Sequence, residues 1–200
     1  MSKAEQTKAF IIEKTAPIFN SKGFWGTSLS DLTEATGLTK GSIYGNFENK
    51  EDVAIAAFEY NVNKLSKNMD VAIHNAQSAT DKMQAFTDFY RSIWKGVSTS
   101  GGCPILNTAV EADDNLPFLK KRVQNSIKGI ATRLIRIMDT GKANGEFRNE
   151  IDSSTYAYTF IAMVEGGIML SKITGQQVHL FTVLDKIMSI VQEELKVKTL

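Results

Sequence analysis

Residues 28–47 read SLSDLTEATGLTKGSIYGNF, two short segments of mixed polarity on either side of Gly37. Ser28 stands three residues before Asp31, where its hydroxyl can accept from the Asp31 N–H and start a helix that carries Leu29, Leu32 and Ala35 inward. Gly37 closes that helix. Thr39 is a second N-cap, opening a helix of about residues 39–46 that buries Ile43 and is followed by a buried Phe47. Two short helices joined by a Gly-containing turn are the pattern of a helix-turn-helix.

Working outward, Ala9, Ile12, Ala16 and Phe19 share one face of a helix expected over about residues 3–22, with Gly23 ending it. Pro17 falls inside that span and predicts a kink or a local break there, because proline lacks the backbone donor and crowds the preceding turn. Asn49 caps a fourth helix, expected to run to about residue 77 with Val53, Ala56, Ala57, Tyr60 and Leu65 inward. Helical patterns recur over about 80–97, 105–112, 119–138, 153–172 and 177–196, and the Ser- and Gly-rich stretch from Val97 to Pro104 reads as a loop. The chain of 200 residues is 42% hydrophobic and holds three prolines, enough to build a core from helices. The expected fold is all-α with about nine helices: a three-helix segment with the helix-turn-helix over 1–48, a connecting helix over 49–77, and a second helical domain over 78–200.

The formal charge of +1 is nearly neutral, so any case for a nucleic-acid partner must be local. Cys103 is the single cysteine, and His74 and His179 are the two histidines. They allow no intrachain disulfide and no thiolate-rich zinc site. No group of residues suggests a catalytic acid, base and nucleophile together, so neither an enzyme nor a cofactor is expected. The charged N-terminus, with Lys3, Glu5, Lys8 and Glu13, differs from a signal peptide. The most apolar stretch, 156–170, contains Glu165 and is shorter than a membrane span. A cytoplasmic protein without membrane contact is expected.

The second short helix decides the function. A recognition helix turns a small, polar face to the major groove while its other face packs on the domain. Ile43 and Phe47 supply the packed side; Thr39, Lys40, Ser42, Tyr44 and Asn46 are polar groups for phosphates or base edges, and Gly41 and Gly45 permit close approach. The order GFWGTSLSDL, TGLTKGSIYGNF, ENKEDVAIAAF closely resembles the N-terminal signature of the TetR (tetracycline-repressor-like) family over roughly residues 5–60. The resemblance implies a homodimer whose recognition helices enter successive major grooves of a palindromic double-stranded DNA operator. It implies phosphate contacts at Thr27, Ser28 and Lys50, and recognition-helix roles for Thr39, Lys40, Gly41, Ser42 and Tyr44. Gly45 departs from the pattern, since many relatives carry His or Tyr there. Asn46 either takes over that contact or ends the helix. A helical ligand- or partner-binding module with a non-functional helix-turn-helix is the alternative reading.

In the second half, residues 156–170 are apolar around most of a helix, which implies burial on more than one side. Ile161, Gly166 and Gly167, with the stripe Leu180, Leu184, Ile187 and Val191 on the last helix, form the expected dimer interface. Phe86, Phe89, Tyr90, Ile93, Trp94, Cys103, Asn107, Phe118 and Met163 are the candidate lining of an effector pocket. The resemblance implies ligand-relieved repression, with a small apolar or aromatic effector as the expectation and Asn107 or Glu111 as polar anchors. Cys103 stands at a loop-to-helix junction, either as a redox or electrophile sensor or as a small residue at a turn.

Overall fold

The computed structural model describes residues 2–198; Met1 and residues 199–200, the ends of the expected first and third segments, lie outside it. Nine α-helices follow one another among these residues: α1 Lys3–Gly26, α2 Leu29–Thr36, α3 Lys40–Tyr44, α4 Lys50–His74, α5 Ala79–Thr99, α6 Pro104–Asn115, α7 Pro117–Ala143, α8 Ser153–Thr174 and α9 Val178–Ile190. A π-helical turn, Val191–Leu195, follows α9. The all-α expectation holds. The structure forms two compact units: the chain up to Leu65 with Thr99–Ser126, and Ser66–Ser98 with the chain from Ile127 onward.

The first unit begins with a full capping box, in which Ser2 accepts from the Glu5 N–H and Glu5 returns the bond to the Ser2 N–H. Ile11, Ala16 and Phe19 of α1 are buried with Leu32, Ile43, Phe47, Val53 and Ala57. Pro17 does not break α1, contrary to the expectation; the non-helical residue is Gly23, at φ 72° and ψ −179°. Asn61 ties α4 to α1 by donating from Nδ2 to the Ala16 carbonyl at 3.0 Å. Arg122 pairs with Glu59. The loop expected from Val97 is helical to Thr99, after which Gly101 and Gly102 at φ 96° and 106° lead into α6.

The second unit is built on Met69, Met83, Phe86, Leu134, Met138, Phe147, Phe160, Leu184 and Ile187, all buried. Glu146 accepts from the N–H groups of Ala79 and Thr80 at 3.0 and 3.2 Å and so caps α5 from a distant loop. Asp152 caps α8 through the N–H groups of Ser154 and Thr155. α8 and α9 pack closely around Gly167, whose absent Cβ would stand 3.1 Å from the Leu180 Cα. Leu180, Leu184, Ile187 and Val191 are buried within the chain at 0–1% exposure. This corrects their expected place in a dimer interface: their helical periodicity records packing inside the unit. Uncovered apolar side chains on the same two helices are Tyr158, Met169, Leu170, Ile173 and Val178.

Candidate nucleic-acid interface

The turn between α2 and α3 follows from three local devices. Ser28 caps α2, accepting from the Asp31 N–H at 3.1 Å and donating its hydroxyl to Asp31 at 2.8 Å. Gly37 takes the left-handed conformation at φ 66° and donates its N–H to the Thr33 carbonyl at 2.8 Å, a geometry that glycine adopts without the penalty of a Cβ. Buried Thr36 donates to the Leu32 carbonyl and accepts from the Leu38 N–H. Thr39 then accepts from the Ser42 N–H at 3.2 Å and starts α3.

α3 divides as a recognition helix must. Ile43 is fully buried and Phe47 nearly so. Thr39, Lys40 and Gly41 are exposed, and Ser42 and Tyr44 half-buried. Gly41 has open space around it: a Cβ there would meet nothing nearer than the Thr39 Oγ1 at 3.9 Å. No neighbour inside the chain requires glycine there.

Other expected contacts are committed elsewhere. Thr27 is buried and donates its hydroxyl to the Gly23 carbonyl at 2.6 Å. Its side chain is therefore structural, a correction of the phosphate-contact expectation. Asn46 folds back to donate to the Ser42 carbonyl at 2.9 Å, which favours its helix-ending role over base contact. Lys50 Nζ lies 4.5 Å from the centroid of the Phe24 ring, a cation–π contact. Burial lowers its pKa, with the carboxylates of Glu111 and Asp31 opposing that fall. Lys22 forms an ion pair with Asp31 at 2.6 Å. That pair, with the Ser28 N–H and hydroxyl, holds the Asp31 carboxyl well below the usual carboxylate range. Trp25 had no assigned role in the sequence reading. It is 66% exposed just before the Thr27–Ser28 positions, with its ring edge-on to Phe24 at 5.2 Å.

The residues expected to line an effector pocket fall in both units. Phe86, Phe89, Tyr90 and Trp94 are buried in the second, with Tyr90 edge-on to Phe86 at 5.2 Å and to Phe89 at 5.4 Å. Ile93 and Met163 of that unit are half-buried, as is Ile161 of α8. Cys103, Asn107 and Phe118 belong to the first unit. Cys103 is buried, and Phe118 packs edge-on to Phe24 at 5.4 Å. Asn107 spends its amide on the carbonyls of Asn20 and Gly101 at 3.0 and 2.8 Å, and Glu111 spends its carboxylate on the N–H groups of Phe24 and Trp25. Both expected effector anchors are thus occupied by the protein's own backbone. No group of His, Cys, Asp and Glu side chains suited to a metal occurs among the described residues. No described helix is long and apolar enough to cross a membrane.

A capped two-helix turn with one apolar face buried and one small polar face open defines a helix-turn-helix DNA-binding protein. Residues 11–57 match the family model described as bacterial regulatory proteins, tetR family, and residues 79–187 match the tetracyclin repressor-like C-terminal domain. A TetR-family transcriptional regulator from Cytophaga hutchinsonii is 40% identical and superposes with a TM-score of 0.94 over 100% of this chain and 99% of its own. Another, from Chloroflexus aurantiacus J-10-FL, is 35% identical with a TM-score of 0.94 over 99% and 100% of the two chains. The HTH-type transcriptional repressor DhaR of a Mycobacterium species is 22% identical over 82% of this chain and 81% of its own. The chain belongs to the TetR family and is a DNA-binding transcriptional regulator.

Proposed function

We propose that two copies of this chain bind one palindromic double-stranded DNA operator as a cytoplasmic homodimeric repressor, and leave it when a small apolar or aromatic effector binds. The observation that carries the DNA-reading part is the open face of α3, where Thr39, Lys40 and Gly41 face solvent around a fully buried Ile43. Support for the dimer is the apolar surface of α8: Tyr158, Ala162, Met169 and Ile173 are exposed at helical spacing, and Ile173 is 82% exposed. Uncovered apolar side chains on one helix face support an association surface there. Gly166 has open space beside it and suits close approach of a second helix. Support for repression is the repressor named among the relatives, and support for the effector class is the aromatic group of Phe86, Phe89 and Tyr90.

Capture of genomic fragments tests the reading. Wild-type protein should enrich a palindromic site, and Lys40→Ala or Tyr44→Ala should weaken its binding while the helix content is kept. Ile173→Asp should shift sedimentation from dimer to monomer. A folded wild-type dimer that enriches no DNA would refute the operator reading in favour of a binding module, and a wild-type monomer would refute the dimer.

A further inference from the structure

We infer that Asn107 and Glu111 of α6 are positioning residues for DNA recognition, standing in for the helical turn that α1 loses at Gly23; the inference rests on the chain's DNA-binding assignment. In an unbroken helix the Phe24 N–H would donate to the Asn20 carbonyl and the Trp25 N–H to that of Ser21. The conformation of Gly23, φ 72° and ψ −179°, breaks this ladder. α6 supplies both halves of the exchange. Glu111 accepts the freed donors, Phe24 N–H at Oε2 (2.6 Å) and Trp25 N–H at Oε1 (2.8 Å). Asn107 donates to one of the two freed acceptors, the Asn20 carbonyl, at 3.0 Å. The two side chains stand one turn apart on α6 and therefore on one face of it.

The surrounding residues are shaped to this exchange. A Cβ at Gly23 would lie 2.6 Å from the Glu111 Oε2, so the carboxylate reaches the backbone only over glycine. A Cβ at Gly101 would lie 3.0 Å from the Asn20 carbonyl oxygen and the Ser21 Cα. Asn20 returns the contact, donating from Nδ2 to the carbonyls of Ser100 and Gly102 at 2.6 and 3.1 Å. The start of α6 is thereby sewn to the last regular turn of α1.

From the break, two links lead to the DNA-reading residues. Thr27 donates to the Gly23 carbonyl and fixes the chain as it enters the Ser28 cap of α2. The Phe24 ring carries Lys50 Nζ on its face and Trp25 at its edge. Displacing the Phe24–Trp25 peptide therefore displaces the start of α2 and the seat of Lys50 together. Only a group with two acceptor oxygens serves both N–H donors; a carboxamide turns its NH2 toward one of them. Only a donor serves the Asn20 carbonyl, so aspartate at 107 would place an acceptor against an acceptor.

Glu111→Gln and Asn107→Asp, each in the full-length protein, test the inference on a fragment that wild type captures from genomic DNA. Each variant should bind that fragment about tenfold more weakly or worse, exchange the Phe24 and Trp25 amide protons faster, and keep wild-type helix content and sedimentation. Faster exchange with unchanged affinity would overturn the positioning role and leave a local cap. Unchanged exchange would overturn the linkage itself. If Glu111→Gln does not fold, Asn107→Asp decides on the same readouts. Wild type that captures no DNA removes the DNA-binding assignment and this inference with it, an outcome distinct from wild type binding and both variants binding equally well.

Discussion

Replacing Gly41 by alanine should stabilise the protein and weaken its hold on DNA, two effects of opposite sign from one methyl group. Gly41 lies in the first turn of α3 at negative φ, exposed, with open space where a Cβ would go. Alanine restricts the unfolded chain and strains nothing in the folded one, which is worth about 0.4–1 kcal/mol. At roughly 2–4 °C per kcal/mol for a chain of this size, the melting midpoint should rise by about 1–4 °C. If the open face of α3 meets DNA as proposed, the same methyl enters the space a phosphate or base edge would occupy. Losing one good contact costs about 1–3 kcal/mol, or roughly 5- to 150-fold in affinity. Thermal scans at fixed protein concentration and fluorescence anisotropy on a captured operator measure the two quantities. Gly37→Ala is the control, because its φ of 66° makes alanine strained and should lower the midpoint. Wild-type affinity in Gly41→Ala would refute the placement of that face against DNA, and a lowered midpoint would refute the packing argument.

Gly141→Ala should behave in the opposite way to an open helical site, since its Cβ would meet the Phe147 ring at 2.5 Å and the Ala79 Cβ at 2.8 Å. Overpacking of about 1–3 kcal/mol exceeds the roughly 1 kcal/mol of helix propensity gained, so urea unfolding should begin earlier, whereas Gly129→Ala, with nothing nearby, should delay it. Asp31 supplies a pH dependence. Its folded pKa is depressed, first by the Lys22 hydrogen bond and then by the Ser28 N–H and hydroxyl, so its contribution is present above the unfolded pKa near 4 and is lost as pH falls through the folded value. Asp31→Asn should melt lower than wild type at neutral pH and lose less on acidification below about pH 4; parallel melting curves across that range would count against the Asp31 linkage.

What could be read in the sequence was what neighbouring residues decide. Ser28 and Asp31, Gly37, and Thr39 with Ser42 meet their partners within four residues, so the helix-turn-helix and the inward Ile43 followed from spacing alone. Periodicity was less informative about surfaces. Leu180, Leu184, Ile187 and Val191 do share one face of the last helix, but a repeat identifies which residues lie together and not what covers them. α8 covers these, and uncovered apolar residues of α8, Tyr158, Met169 and Leu170 among them, lie within a stretch apolar on nearly every side.

The break in α1 shows why the rest was hidden. Proline was the natural suspect, since Pro17 carries its disruption with it, yet α1 continues through it. Gly23 breaks the helix because three partners from α6 and its approach make the broken form satisfied: Glu111 for the N–H groups of Phe24 and Trp25, Asn107 for the Asn20 carbonyl, and the Ser100–Gly102 backbone for the Asn20 amide. These partners lie some eighty residues downstream, so no local rule could rank glycine above proline as the breaking site. The same distance explains the misassigned side chains. Asn107 and Glu111 look like ligand anchors in a half-apolar helix because polar groups there need partners. Their partners are the backbone of the DNA-reading unit itself, which makes the reading head depend on α6 for part of its own hydrogen bonding.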